Sequence, residues 1–137
     1  MCFLAGFQYI TNYSISFMIV RKIILVDDDI SILESFKTIL DSEGYETHTA
    51  LGGDTLALHL ANIMPDLILL DYALPNENGG ELTRKIRQNS ATAHIPIIII
   101  SANSQFRVNA KLAGANEFLE KPLEIKFLLS IIKKLLN

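Results

Sequence analysis

The stretch Ile23-Ile24-Leu25-Val26-Asp27-Asp28-Asp29 decides the architecture. Four aliphatic residues in a row, with no polar residue among them, have no solvent face to offer, so they read as a strand buried on both sides. The run stops abruptly in carboxylates. The pattern recurs in Leu67-Ile68-Leu69-Leu70, which ends in Asp71, and in Ile97-Ile98-Ile99-Ile100, which follows Pro96 and ends in Ser101. Phe118-Leu119 is a shorter apolar run that leads into Lys121-Pro122. These four runs suit interior strands. Tyr45 to Ala50 instead alternates in polarity, as a half-exposed or edge strand does.

Between these runs lie helical patterns. Ile32, Leu33, Phe36, Ile39 and Leu40 share one helix face, and Gly44 stands where that helix would stop. Gly52-Gly53 opens a second pattern through Leu56, Ala57 and Leu60, closed by Met64-Pro65. A turn rich in Pro75, Asn76, Asn78, Gly79 and Gly80 leads to a helix carrying Leu82 and Ile86. A fourth runs through Val108 and Leu112 to Gly114, and the last places Ile125, Leu128, Leu129, Ile132, Leu135 and Leu136 along one stripe. Five strand–helix units imply parallel pairing, because parallel strands need crossover helices. Right-handed crossovers then leave few topologies. We expect an α/β, flavodoxin-like (βα)5 three-layer sandwich with sheet order 2-1-3-4-5 and strand 2 at one edge.

The chain has 137 residues, a formal charge of −3, 50% hydrophobic residues and 20% charged ones. That is one domain with an ordinary globular mix. A disordered tail would carry fewer aliphatic residues. A protein that neutralises nucleic-acid phosphates would carry a basic surplus. A single cysteine, Cys2, excludes a disulfide scaffold.

The segment from Met1 to Val20 has no charged residue and no clear period. It reads first as translated upstream sequence, with Met18 as the true start; an ordered extension and a membrane contact are the alternatives. Gln8, Thr11, Asn12, Ser14 and Ser16 interrupt it, which makes it a poor span, so membrane contact is not expected. The domain is taken as residues 21–137, with 1–20 an extension of doubtful status.

In an open α/β sheet, ligands bind beyond the carboxyl ends of the strands, where strand order reverses. Here that places Asp27, Asp28, Asp71, Ser101 and Lys121 around one crevice. Two carboxylates about 4 Å apart repel by roughly 4 kcal/mol at an effective dielectric near 20. A divalent cation would offset this, and oxygen-only ligands favour a hard ion such as Mg²⁺.

From Arg21 to the C-terminus the chain resembles the receiver domain of two-component response regulators. The resemblance rests on Ile24-Leu25-Val26-Asp27-Asp28, Leu70-Asp71-Tyr72-Ala73-Leu74-Pro75 with Gly79, Pro96-Ile97-Ile98-Ile99-Ile100-Ser101-Ala102, Ala113-Gly114-Ala115 and Lys121-Pro122, in that order. It implies that Asp71 is the phosphoacceptor, taking a phosphoryl group from a sensor histidine kinase or a histidine phosphotransfer protein. It further implies that Asp28, Asp71 and the Ala73 backbone carbonyl ligate Mg²⁺ directly, with Asp27 acting through a metal-bound water. Lys121 and the Ser101 hydroxyl would meet phosphoryl oxygens, Phe118 would turn inward as a switch, and the Lys121–Pro122 peptide would be cis. The surface of helix 4, strand 5 and helix 5 would carry the signal to a downstream protein target. The resemblance further implies a cytoplasmic setting and no enzyme activity beyond the domain's own phosphorylation and dephosphorylation; no direct DNA binding is expected, since the chain shows no basic surplus, and a phosphorylation-dependent dimer is compatible with the family. Because the chain ends at Asn137, directly after the last helix, a stand-alone receiver is expected.

Two positions depart from common receiver patterns. Ala73 is often polar there and Asn103 is variable, so phosphate lifetime does not transfer. Phe118 stands where Tyr is frequent, and a static core aromatic would look the same. Asp29 reads as a helix-start residue, and His48, His59 and His94 as surface or structural residues without metal-ligand spacing. A Mg²⁺-dependent phosphohydrolase and a receiver-like module that is never phosphorylated stay open as other classes.

Overall fold

The computed structural model describes residues 19–137; the expectations for residues 1–18, including Cys2 and the Met18 start, lie outside the described residues. Five strands form one parallel sheet in the order β2-β1-β3-β4-β5. They are β1 (Lys22–Val26), β2 (Glu46–Ala50), β3 (Leu67–Asp71), β4 (Ile97–Ser101) and β5 (Glu117–Glu120). The helices are α1 (Ile30–Ser42), α2 (Gly53–Asn62), α3 (Gly79–Gln88), α4 (Arg107–Ala113), which follows a 3-10 turn at Ser104–Phe106, and α5 (Ile125–Leu136). This is the expected flavodoxin-like order.

Side-chain alternation along the strands divides the core in two. Ile24, Val26, Ile68, Leu70, Ile97, Ile99 and Phe118 pack with Leu56 of α2, Leu82 and Ile86 of α3 and Ala110 of α4. Their neighbours Ile23, Leu25, Leu67, Leu69, Ile98, Ile100 and Leu119 pack on the opposite face with Leu33 and Leu40 of α1 and Leu128 and Ile132 of α5. All five residues of β3 and of β4 are buried, so both faces of the sheet are covered.

Two readings of the sequence change. The Phe118-Leu119 run does not mark an interior strand: β5 closes the second edge of the sheet, and its two apolar residues are buried because a helix layer covers each face. In α4, Val108 and Leu112 face solvent, at 65% and 76% exposure, while Ala110 and Ala113 are buried. A seven-residue helix lies close against the sheet through its small side chains, and the larger apolar ones are left outside.

The open edge at β2 is shielded. Asp27 N donates to Ala50 O and Glu46 N to Arg21 O. Residues 46, 48 and 50 therefore pair with β1, and the polar backbone groups of Thr47 and Thr49 point outward. Lys37 Nζ donates to Thr47 O at 3.1 Å, and His59 Nε2 donates to Thr49 O at 2.8 Å. Side chains from α1 and α2 thus occupy both outward carbonyls, which makes the edge a poor template for another strand. His48 binds Glu46 Oε1 at 2.7 Å and His94 is exposed, so the histidines are surface and structural residues as read.

Arg87, at the end of α3, pins the far side of the sheet. Its guanidinium donates to the carbonyls of Gly114, Ala93 and Ile95 and to Asn116 Oδ1. Gly114 closes α4 at φ +110°, and a Cβ there would lie 2.9 Å from Arg87 Cγ. Gly114→Ala therefore meets both backbone strain and a clash, and should lose about 1–3 kcal/mol of stability in urea denaturation. A loss within a few tenths of that of a surface substitution would contradict this packing.

Candidate functional site

Register sets the site. Val26 pairs with Leu70, Asp71 with Ile100 and Ser101 with Glu120, so the carboxyl ends of β1, β3, β4 and β5 come level. Asp27 follows β1, Asp71 ends β3, Ser101 ends β4, and Lys121 follows β5, held there by Lys121 N donating to Ser101 O. The Lys121–Pro122 peptide is cis, as expected.

Carboxylate oxygens of Asp27, Asp28 and Asp71 lie within 4.8 Å of one another. Asp27 and Asp71 are buried, at 5% and 8% exposure, whereas Asp28 is open to solvent. Among the described residues, one side-chain cation answers them. Lys121 Nζ donates to Asp71 Oδ1 at 3.2 Å and stands 3.7 Å from Asp27 Oδ2. Burial pushes the Asp27 carboxyl above its ordinary range, against the Asp29 N–H and the Lys121 charge, which pull it down. Burial also raises the Asp71 carboxyl, followed by the neighbouring Asp27 charge, with Lys121 opposing. Both acids are thus held in a place that disfavours their own ionisation. A pair of such charges at 4.8 Å repels by about 3 kcal/mol at a dielectric near 20. The site is short of positive charge.

The chemistry of the donors fits a hard divalent cation: three carboxylates, with no His or Cys in the group among the described residues. Asp29 takes no part. Its Oδ1 accepts from Ser31 N at 2.9 Å and Ile32 N at 3.3 Å, which makes it the cap of α1. Asp27 Oδ1 accepts from Asp29 N, so the start of the helix also orients the buried acid.

The turn after Asp71 is shaped by glycine. Gly79 N donates to Tyr72 O at 2.8 Å, and a Cβ on Gly79 would lie 2.9 Å from both Asp71 O and Tyr72 Cα. Only glycine lets α3 begin this close beneath the acidic residue. Ala73 is exposed on the same turn. Ser101 is buried at 3% exposure, and its hydroxyl accepts from Asn103 N at 3.1 Å, a local contact within the β4–α4 loop and not one to Asp71. Phe118 is inward, at 2% exposure.

Three residues near the site, Tyr72, Phe106 and Arg107, are given no role by the sequence. Tyr72, next to Asp71, stacks on Phe106, and the Arg107 guanidinium lies over the Phe118 ring. Each contact joins segments far apart in the chain, so no local spacing signals it.

Residues 23–133 match the family model described as the response regulator receiver domain. The phosphate regulon transcriptional regulatory protein PhoB of Rhizobium meliloti is 34% identical over 118 residues, which cover 85% of this chain and 52% of that protein. The chain spans about half or less of the length of the curated relatives it matches first. Among solved structures, chemotaxis response regulator CheY4 of Vibrio cholerae superposes with a TM-score of 0.80 at 27% identity, covering 85% of this chain and 99% of that one. Response regulator TrrA of Thermotoga maritima, solved in complex with Mg²⁺-BeF, superposes with a TM-score of 0.77 at 32% identity, covering 85% and 99%. The level strand ends, the acidic cluster and these likenesses agree: the chain belongs to the response regulator receiver domain family.

Proposed function

We propose that Asp71 accepts a phosphoryl group from a sensor histidine kinase or a histidine phosphotransfer protein. The observation that carries this reading is Lys121 Nζ, placed between Asp71 and Asp27 at the mouth of an otherwise acidic cluster. An Asp71 carboxylate oxygen forms the new P–O bond, the bond from phosphorus to the donor's imidazole nitrogen breaks, and that nitrogen keeps the electron pair and takes up a proton. Asp27, Asp28, Asp71 and the Ala73 carbonyl would hold Mg²⁺, Asp27 through a water. Bound there, the ion would supply neutralisation of the transferring oxygens. Lys121 stabilises a further oxygen from the β5 side. The Ser101 hydroxyl, at the end of β4, exchanges its contact with Asn103 N for one to the phosphoryl group. Burial of Asp27 and Asp71 limits the water that could compete.

Phosphorylation adds negative charge to a cluster already short of cations, so it favours any packing that brings donors toward Asp71. Phe118 is the switch aromatic, and the signal leaves through α4, β5 and α5 to a downstream protein. A formal charge of −3 supports an output from this domain through protein contact. The setting is cytoplasmic; among the described residues no helix is long and apolar enough to cross a membrane. The chain acts as an acceptor and not as a multiple-turnover enzyme. The Mg²⁺-BeF complex of TrrA supports the choice of ion and of reaction.

Incubation with acetyl phosphate and Mg²⁺ should add one phosphoryl group by intact mass, and none after Asp71→Asn. Removing Lys121 by Lys121→Ala should slow labelling by about a hundredfold, the scale of losing one transition-state donor. Label that persists in Asp71→Asn removes Asp71 from its role. Steady release of many phosphates per chain would instead indicate a hydrolase.

The raised acids set a pH dependence with a definite sign. At low pH both are protonated in the folded and unfolded chain, and no penalty applies. As pH rises past the ordinary carboxylate range, the unfolded chain releases its protons first, and metal-free stability falls until the folded-state values are passed. Without Mg²⁺, Asp71→Asn should therefore melt above the parent at pH 7, with the gap closing below about pH 4. Added Mg²⁺ should raise the parent's melting temperature more than the variant's. A variant that melts below the parent at pH 7 would overturn the electrostatic account.

A further inference from the structure

Phe106 and Arg107 are consecutive, at the junction of the 3-10 turn and α4. The Phe106 ring stacks on Tyr72 with centroids 4.1 Å apart and planes 15° from parallel. Tyr72 is the residue after Asp71 and is buried. The Arg107 guanidinium carbon lies 4.9 Å from the Phe118 ring centroid. Its Nη1 donates to Phe118 O at 3.2 Å, and its Nη2 meets Glu120 Oε1 at 3.0 Å.

We propose that Phe106 and Arg107 form a bridge that couples the state of Asp71 to the position of the Phe118 ring. The proposal rests on the receiver reading above and gives it a route besides Ser101. Both are positioning residues, since neither touches the acceptor.

The argument has two halves. A cation over a ring face favours that ring where it is, and the Phe118 carbonyl together with Glu120 fixes the guanidinium in place. Outward rotation of the ring would forfeit that contact and leave Arg107 over empty space. Arg107 therefore biases Phe118 inward. At the other end, the Tyr72–Phe106 stack joins the segment after Asp71 to the first turn of α4 through two flat, closely apposed surfaces. A shift of the Asp71–Tyr72 backbone on phosphorylation moves Phe106, and with it the Arg107 backbone and its hold on β5. Coupling of this kind is reciprocal: a ligand that favours the inward ring must bind more tightly when the ring is already held inward.

The test uses the full chain with beryllium fluoride and Mg²⁺ as the phosphoryl probe, and a single 4-fluorophenylalanine at position 118 read by ¹⁹F NMR. Arg107→Ala should weaken beryllium fluoride binding by about fivefold, the equivalent of one lost cation–ring contact. The ¹⁹F signal of the free protein should move toward that of a solvent-exposed ring. Arg107→Lys should fall between parent and Ala, because it keeps charge but not the planar fork. Glu120→Gln, which removes the charge but keeps an oxygen to accept from Nη2 and so leaves the guanidinium over the ring, should change affinity by less than about twofold. Phe106→Leu should weaken binding as well, and the double variant Phe106→Leu/Arg107→Ala should lose less than the product of the two single effects, as members of one path do.

Far-UV circular dichroism checks that each variant is folded, and Arg107→Lys carries the comparison if Arg107→Ala is not. Parent-like affinity and an unmoved ¹⁹F signal in the folded Arg107 variants overturn the bridge, as does strict multiplicativity in the double variant. A parent that takes up no beryllium fluoride overturns the receiver reading and the bridge together, which separates that failure from one confined to Phe106 and Arg107.

Discussion

One ammonium group faces two carboxylates that the fold has taken out of water. The Lys121 side chain reaches Asp71 and Asp27 from beyond β5, while Asp28 adds a third negative charge at the rim. Nothing in the apolar strands that deliver these residues relieves the imbalance. A cluster of this kind lowers the stability of its own domain, and such clusters persist where the missing positive charge arrives as part of function. The energetic deficit and the proposed chemistry are therefore one property seen twice.

The rest of the fold keeps that deficit in place. Five parallel strands, all but the outer two flanked on both sides, leave little freedom in register, because a one-residue slip would turn every buried aliphatic residue toward the wrong helix layer. Their carboxyl ends consequently stay level. The close seating of Gly79 beneath Asp71 and the capping of α1 by Asp29 fix the two turns from which the acids project. Arg87 and the shielded β2 edge act far from the crevice, by joining helices to sheet and by occupying carbonyls that another strand would seek.

Much of this was legible in the amino-acid order. Strands buried on both faces appear as unbroken aliphatic runs, so each polar residue ending one marks a place on the sheet's rim. Asp27, Asp71 and Ser101 were found that way, and Lys121 by its place after the last run. What escaped has physical causes as well. Val108 and Leu112 carry the helical spacing of a buried stripe, yet α4 packs through Ala110 and Ala113 because a short helix against the sheet has room only for small side chains. Phe118 and Leu119 suggested an interior strand because burial under helices and burial between strands leave the same apolar signature. Tyr72, Phe106 and Arg107 could not be seen at all, since their contacts depend on the path of the β4–α4 loop in space.

The central claim is that a single aspartyl oxygen, at residue 71, carries the phosphoryl group. An acyl phosphate is reduced by borohydride to the corresponding alcohol, so trapping followed by peptide mapping locates the modified residue directly. Borohydride treatment of the acetyl phosphate-labelled chain should place homoserine at position 71 and leave positions 27 and 28 as aspartate. Homoserine at position 27 or 28, or a label resistant to borohydride, would contradict the account.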